Sequence, residues 1–504
     1  MNWEQLLSPK RLRSPTTSAN FDLDSNRNPY ESDLGRVIFS PALRRMHDKT
    51  QVFPLNTNDN IHTRLTHSME VMSVGYSLGV GICNHADFLK IIHSLGDTFN
   101  KNIYRIIPVI LKSSCLLHDI GNPPFGHFGE TVIQNYFREL FDNDSKSHLF
   151  TEITNEEKND FINFDGNAQG FRVITKLQAL NDLYGLNLTV ASLASYLKYP
   201  NTSAPIKENI ETKKQVFFIQ KKKYLDEICK ECGLISKDYN LLRHPLSYLM
   251  EAADSICYSV IDIEDAFNKE IITLDDILRI FRETRKEIEL EKIKSNLHTS
   301  FFELIDKSIC HIDKIIKNED DENKKIVDIR TYLIGVLVDE SLSNFIKNLD
   351  KIECGDYNKE LLEDGRLAPL TKALQNITCT KIFPYREIVS LELAGDSILK
   401  GLFNHYIDLL FYEPKGFDKN IESNAIIKMK KKYASKAESM ISSSLFRVIK
   451  KEYAEKCNIN EKESDIHIVD LPAYFKLKLI VDYVSGMTDL FAINHYQKLS
   501  GQKI

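Results

Sequence analysis

The stretch Ser-Cys-Leu-Leu-His-Asp-Ile-Gly-Asn-Pro-Pro-Phe-Gly-His-Phe-Gly-Glu (114–130) decides how this chain is read. Residues Ile103 to Ile120 have the apolar spacing of a buried helix, and Gly121 with Pro123-Pro124 prevents its continuation. The adjacent His118 and Asp119 therefore stand at the end of a core helix, directly before a tight turn. Alone, a His-Asp dipeptide means little. Upstream, however, His67 lies in Arg-Leu-Thr-His-Ser-Met-Glu-Val, and downstream Asp254 lies in Met-Glu-Ala-Ala-Asp-Ser-Ile. Each member of this ordered set sits inside an apolar helical stretch. Two imidazoles and two carboxylates can hold one divalent metal and leave positions for water and substrate, which points to a metal-dependent phosphohydrolase. The alternative is four unrelated polar residues, some of them helix caps.

Working outward, Thr66 is expected to cap a helix that carries His67, Met69, Met72 and Leu78. A third long helix spans Leu246 to Phe267, and Asp254, Tyr258 and Asp262 recur every four residues along one of its faces. A polar stripe on an apolar helix needs partners, and a metal with a polar substrate would supply them. His127 and Glu130, three residues apart, can share a helix face so that the carboxylate orients the imidazole for proton transfer. Capping by Glu130 with a surface His127 is the plainer alternative. Asp165-Gly-Asn-Ala-Gln-Gly170 reads as a turn and helix start, more a cap than a binding site on its own. Lys198-Tyr199-Pro200 carries a weak signal by itself. Cys229-Lys-Glu-Cys232 has metal-ligand spacing but no second pair nearby.

The wider composition sets limits. Hydrophobic residues make up 42% of the 504 and charged residues 27%, as in a globular protein with a large core. A net charge of −6 argues against a dominant nucleic-acid-binding surface. Nine scattered cysteines suit reduced thiols, so a cytoplasmic location is expected. Apolar windows such as Ile106 to Leu117 are too short to span a bilayer, and no membrane partner is expected. Sustained β alternation is scarce, which predicts an all-α architecture with the metal site between helices. Residues 1–35 read as a polar N-terminal arm and 36–270 as the phosphohydrolase core, with an excursion near 201–240 carrying Lys221-Lys222-Lys223. Residues 271–504 read as further helices, with Lys317 to Lys325 an exposed loop. The basic cluster Lys428, Lys430, Lys431 and Lys432 beside Tyr433 is either a solvated helix face or a track for a phosphate backbone.

The motifs also resemble a known family, the HD-domain deoxynucleotide triphosphohydrolases, and most of all its bacterial dGTP-hydrolysing branch. The resemblance rests on Lys-Thr-Gln-Val-Phe-Pro-Leu (49–55), Thr-Arg-Leu-Thr-His-Ser-Met-Glu-Val (63–71), the 118–130 stretch, Gly-Asn-Ala-Gln-Gly (166–170), Met-Glu-Ala-Ala-Asp (250–254) and Asp-Tyr-Val-Ser-Gly-Met-Thr-Asp-Leu (482–490). It implies an HD-type helical bundle that hydrolyses dGTP to deoxyguanosine and inorganic triphosphate by attack of water at the α-phosphorus. His67, His118, Asp119 and Asp254 fall on the family's metal ligands, His127 on its catalytic histidine, and Glu130 on the supporting acid. Gln51 and Val52 match the nucleoside pocket, while Asn167, Lys198 and Tyr199 match positions near sugar and phosphates. Tyr258 and Asp262 match residues that hold the deoxyribose, and Glu392, in Ser-Leu-Glu-Leu, matches a position facing the guanine edge. The implied cofactor is a divalent metal, Mn2+ or Mg2+. The donor set also suits Fe2+, Co2+ or Zn2+, and Mg2+ is the least at home with imidazoles. Implied partners are further copies of the chain, up to a hexamer, and single-stranded DNA. Where the family carries arginines tied to the DNA response, residues 437–446 read Ala-Glu-Ser-Met-Ile-Ser-Ser-Ser-Leu-Phe.

Two other readings stay open: a triphosphohydrolase of broad dNTP specificity, and a nucleic-acid-responsive regulatory protein whose site only senses nucleotides. His127 and Glu130 beside the expected ligands favour an enzyme, because a sensor needs no proton-transfer pair.

Overall fold

A computed structural model describes residues 1–13, 26–53, 60–95, 97–142, 146–178, 184–198, 200, 222–236, 239–292, 299–413, 424–458 and 466–503. The architecture is all-α, and only isolated β-bridges occur among the described residues. No described helix is long and apolar enough to cross a membrane. Tyr199, Lys221 and most of the 201–240 excursion lie outside the described residues.

The helices that build and support the site are α1 (Pro29–Ile38), α2 (Arg64–Asn84), α3 (Asp97–Leu117), α4 (Gly126–Asp142), α5 (Gly166–Arg172), α6 (Val190–Tyr196), α7 (Pro245–Asn268), α8 (Glu322–Lys347), α9 (Arg386–Leu410), α10 (Ser443–Cys457), α11 (Ala473–Ser485) and α12 (Asp489–Leu499). They bury two apolar cores. One gathers α2, α3, α7 and α8 around residues such as Leu78, Leu111, Ile256 and Leu333. The other gathers α4, α9 and α11 around Phe137, Phe403 and Leu477. Ile120 belongs to the first core and Phe125 to the second, so the short turn between them passes from one to the other.

Small residues let the first-core helices approach closely. A Cβ on Gly75 of α2 would stand 2.4 Å from Cys115 Sγ and 3.7 Å from Ala253 Cβ, and one on Gly79 would stand 2.8 Å from the Pro108 backbone. Gly75 is thus where α2, α3 and α7 converge, two turns after His67 and against Cys115 and Ala253, which stand three residues before His118 and next to Asp254. Any side chain there would push the three apart.

Four local expectations need correction. The helix start before His67 is capped by Thr63, with Thr66 as its reciprocal partner three residues on. The helix carrying Cys115 ends at Leu117, so His118 and Asp119 occupy the turn after it. Residues 317–325 are mostly helix ends rather than a loop, because Asp321 caps α8 through the amides of Asn323 and Lys324. The two ends of the 1–35 segment are not a polar arm either. Trp3, Leu6, Leu7 and Tyr30 are buried in the first core, because these four apolar side chains outweigh the polar sequence around them.

A candidate metal centre between three helices

His67 comes from the first turn of α2, His118 and Asp119 from the turn after α3, and Asp254 from the middle of α7. The structure brings all four together. One ligand atom each from His67, His118 and Asp119 falls within 4.8 Å of the others. Asp254 Oδ1 lies 3.3 Å from His67 Nε2 and 3.2 Å from His118 Nε2, while Asp119 Oδ2 is 3.6 Å from His118 Nε2.

The hydrogen bonds around His118 fix what this cluster can hold. Its Nδ1 lies 2.7 Å from the Cys115 carbonyl, an acceptor, so the ring proton sits there. Nε2 then presents a lone pair, is buried, and makes no hydrogen bond among the described residues. It faces carboxylate oxygens, which are also acceptors. Two imidazoles and two carboxylates converging in one buried space form a mixed nitrogen and oxygen donor set that fits a divalent metal.

Neighbouring cations hold the carboxylates ionised. Burial disfavours charge on Asp119, but the Arg64 guanidinium, which pairs with its Oδ2, keeps the carboxyl below the usual carboxylate range. Asn122 donates to Asp119 Oδ1 at 2.8 Å. Burial likewise opposes charge on Asp254, and Lys198, with Nζ 2.5 Å from Oδ2, outweighs it. Lys198 therefore grips a metal-site carboxylate.

Beside the cluster, Phe125 and Gly126 both adopt left-handed backbone (φ 64° and 61°), which swings the chain into α4 with His127 in its first turn. The glycine is required there, since a Cβ would come 2.6 Å from an Arg64 guanidinium nitrogen. His127 is 78% exposed, and its Nδ1 lies 3.1 Å from Glu130 Oε2. The other oxygen of Glu130 accepts the Gly166 amide at 2.8 Å. The hydrogen bond and charge of Glu130 raise the His127 pKa above the usual imidazole range. Gly166 has no room for a side chain, because a Cβ would meet Asn122 Oδ1 at 2.2 Å and Glu130 Oε1 at 2.4 Å. Asp165 caps α5 through the amides of Asn167 and Ala168, and Asn167 offers its carbonyl to the Tyr196 hydroxyl at 3.1 Å.

Tyr258 and Asp262 follow Asp254 along α7. Asp262 is buried with Oδ2 lacking a partner among the described residues, and burial with Asp265 close by pushes its pKa well up. Gln51 is half-buried with Oε1 likewise unpartnered, and Val52 packs on the first core. Glu392 is half-buried on α9, and burial raises its carboxyl pKa. Gly395, three residues on, packs against the Phe125 ring, so this part of α9 lies beside the His127 turn. A cavity of about 800 Å3, lined by Arg36, Phe39, Leu186, Tyr483 and Phe491, shares no residue with the cluster. Cys229 and Cys232 are buried thiols, and the Lys428–Lys432 face is largely exposed.

Sequence reasoning gave no role to Arg64 or Asn122. Each stands three residues from a ligand, His67 and Asp119 respectively, and that spacing alone marked them as neighbours on a helical turn.

No family model matches the chain. Curated relatives match it over nearly its whole length. A deoxyguanosinetriphosphate triphosphohydrolase-like protein of Listeria monocytogenes is 35% identical over 508 residues, covering 99% of this chain and 100% of that protein. A protein of the same description from Listeria innocua matches equally, at 35% over the same shares. A deoxyguanosinetriphosphate triphosphohydrolase of Serratia proteamaculans is 30% identical over 526 residues, covering 99% of each chain.

Proposed function

The chain belongs to the deoxyguanosinetriphosphate triphosphohydrolase family, and we propose that it is a divalent-metal-dependent enzyme that hydrolyses dGTP to deoxyguanosine and inorganic triphosphate. The observation that carries this reading is the convergence of His67, His118 and Asp119 ligand atoms within 4.8 Å of one another, with Asp254 Oδ1 3.2 Å from His118 Nε2. His67, His118, Asp119 and Asp254 would hold the ion, which when bound would polarise a phosphoryl oxygen and acidify a water.

The chain's own residues supply the rest. Water oxygen bonds to the α-phosphorus as the bond from that phosphorus to the sugar 5′ oxygen breaks. The water gives up a proton, and the departing 5′ alkoxide must gain one. His127 is the group assigned to proton transfer, and Glu130 fixes its ring through Nδ1, leaving Nε2 to face the substrate. The hydrogen bond and charge of Glu130 favour the imidazolium, which suits donation to the leaving oxygen.

Selectivity is assigned to three places. Glu392 can accept from guanine N1–H and the 2-amino group, a pattern that adenine lacks, and Gln51 Oε1 is a further acceptor with Val52 beside it. Asp262 meets the sugar 3′-hydroxyl, while the Tyr258 ring fills the space that a 2′-hydroxyl would need. Asn167 and Lys198 lie on the sugar and phosphate side. Tyr199, beyond the described residues, is proposed for that side by its sequence position alone. Product analysis with each dNTP and with GTP tests the reading. The expected result is inorganic triphosphate from dGTP in preference to the others, with GTP improving relative to dGTP in Tyr258→Ala. Release of pyrophosphate or orthophosphate would overturn it, and equal turnover of all four dNTPs would transfer it to the broad-specificity alternative.

A further inference from the structure

The segment 482–490 lies more than 350 residues beyond the 118–130 stretch, yet its last acidic residue touches both loops beside the metal centre. Asp489 is the first residue of α12, but it does not cap that helix, since Thr488 accepts the Phe491 amide. Its carboxylate is 2% exposed and turned away from its own helix. Oδ1 accepts the Phe125 amide at 3.0 Å, and Oδ2 accepts the Thr50 amide at 2.9 Å. Phe125 is the left-handed residue before Gly126-His127. A bulky residue holds such a backbone only where its surroundings enforce it. Thr50 precedes Gln51, and it bridges to Thr63, the cap of the helix that carries Arg64 and His67. Lys49 completes the arrangement. Its buried amine donates to the carbonyl of Asn122, which itself holds Asp119, and to the carbonyl of Ser485 at 3.2 Å.

We propose that Asp489 is a positioning residue for the reaction, locking the His127 turn and the Gln51 loop in register through one carboxylate, with the buried Lys49 amine, which donates to the Asn122 and Ser485 carbonyls, as its counterpart. The reason is geometric. The turn from Ile120 to Phe125 passes between two separate cores, so neither core alone sets the position of His127 relative to the ligands. A single buried carboxylate that accepts an amide from each loop does set it. Misplacement of a catalytic group by about 1 Å costs on the order of 10²-fold in rate.

This inference rests on the function proposed above, and its test separates the two. Asp489→Asn keeps size and one acceptor but turns a donor toward the other amide, and Lys49→Gln removes the counterpart. Hydrogen exchange is followed at the amides of Thr50 and Phe125, together with metal content, kcat, KM and the pH profile of kcat for dGTP. In Asp489→Asn at least one of the two amides should lose protection while metal content and KM hold. kcat should fall about 10- to 100-fold, and the limb of the pH profile set by His127 should move. Lys49→Gln should give the same pattern more weakly. Unchanged exchange at both amides, or lost protection with kcat within twofold of wild type, would overturn the proposal. If Asp489→Asn does not fold, Lys49→Gln decides by the same criteria. A wild-type protein that leaves dGTP intact would sink the proposed function, and the exchange data would still judge whether Asp489 locks the two loops.

Discussion

Two buried polar clusters flank α5, and they are built to opposite rules. On one side Arg172, fully buried, donates to Asp482 and, at 2.7 and 2.9 Å, to both oxygens of Glu452. Lys478 lies 3.3 Å from Glu452, and Gln169 donates to Asp482 at 3.1 Å. Every charge there touches an opposite one, so the cluster is closed. On the other side, past the contact of Gly121 with Gly166 and Gly170, the His67, His118, Asp119 and Asp254 group crowds two imidazoles and two carboxylates together and leaves His118 Nε2 without a hydrogen bond among the described residues. The comparison separates the two uses of buried polarity. A network of paired charges joins helices, here α5 to α10 and α11, whereas a cluster that leaves a ligand nitrogen unpaired fits a partner from solution.

Breaking the open cluster should have the largest effect. Asp119→Ala removes a charged ligand and leaves Arg64 buried opposite nothing. Metal content and dGTP turnover should fall together, turnover to background, when protein-bound metal and released triphosphate are measured on the same sample. His127→Ala leaves the ligands in place, so metal content should hold while kcat drops roughly 10²- to 10⁴-fold. Normal metal with near-native turnover in that variant would show that the imidazole has no part in proton transfer.

Breaking the closed cluster should act on stability instead. Arg172→Met strands two buried carboxylates and should destabilise the fold by about 3–5 kcal/mol, read from the denaturant midpoint, with metal stoichiometry kept in the folded fraction. Loss of metal at unchanged stability would erase the distinction between the clusters.

The smallest effect sharpens the picture at the border of the open cluster. Glu130 stabilises the charged form of His127, so Glu130→Gln lowers its pKa. A limb of the kcat profile that requires protonated His127 should then shift toward lower pH, so that activity is lost earlier as pH rises. A limb that stays in place assigns it to another group.

How much of this was legible in the sequence depends on how far apart the contacting residues lie. Helical character and the pairing of His127 with Glu130 followed from local spacing, because one helical turn relates the two, and His118 and Asp119 were read from the end of an apolar helical stretch. His67 and Asp254 came into view through their apolar helical settings and a family likeness. Helix ends slipped by three residues at Thr63 and Leu117, where capping depends on side-chain hydrogen bonds that periodicity does not encode. The partners of Arg172, Lys49 and Asp489 were not legible. Arg172 meets Asp482 across 310 positions and Asp489 meets Phe125 across 364, distances over which no helical or strand period carries information. The burial of Trp3 was hidden in the same way, by a hydrogen bond from its indole to Glu353 at 2.7 Å.

The central claim is that the open cluster holds the metal on which triphosphate release depends. Its most direct test is to strip the wild-type protein with a chelator, return Mn2+ in steps, and record bound metal and products from dGTP by phosphorus NMR at each step. The account predicts no turnover at zero metal, then inorganic triphosphate and deoxyguanosine in proportion to one ion bound per chain, with neither appearing in Asp119→Ala. Triphosphate release by the stripped protein, or equal metal binding by Asp119→Ala, would contradict it.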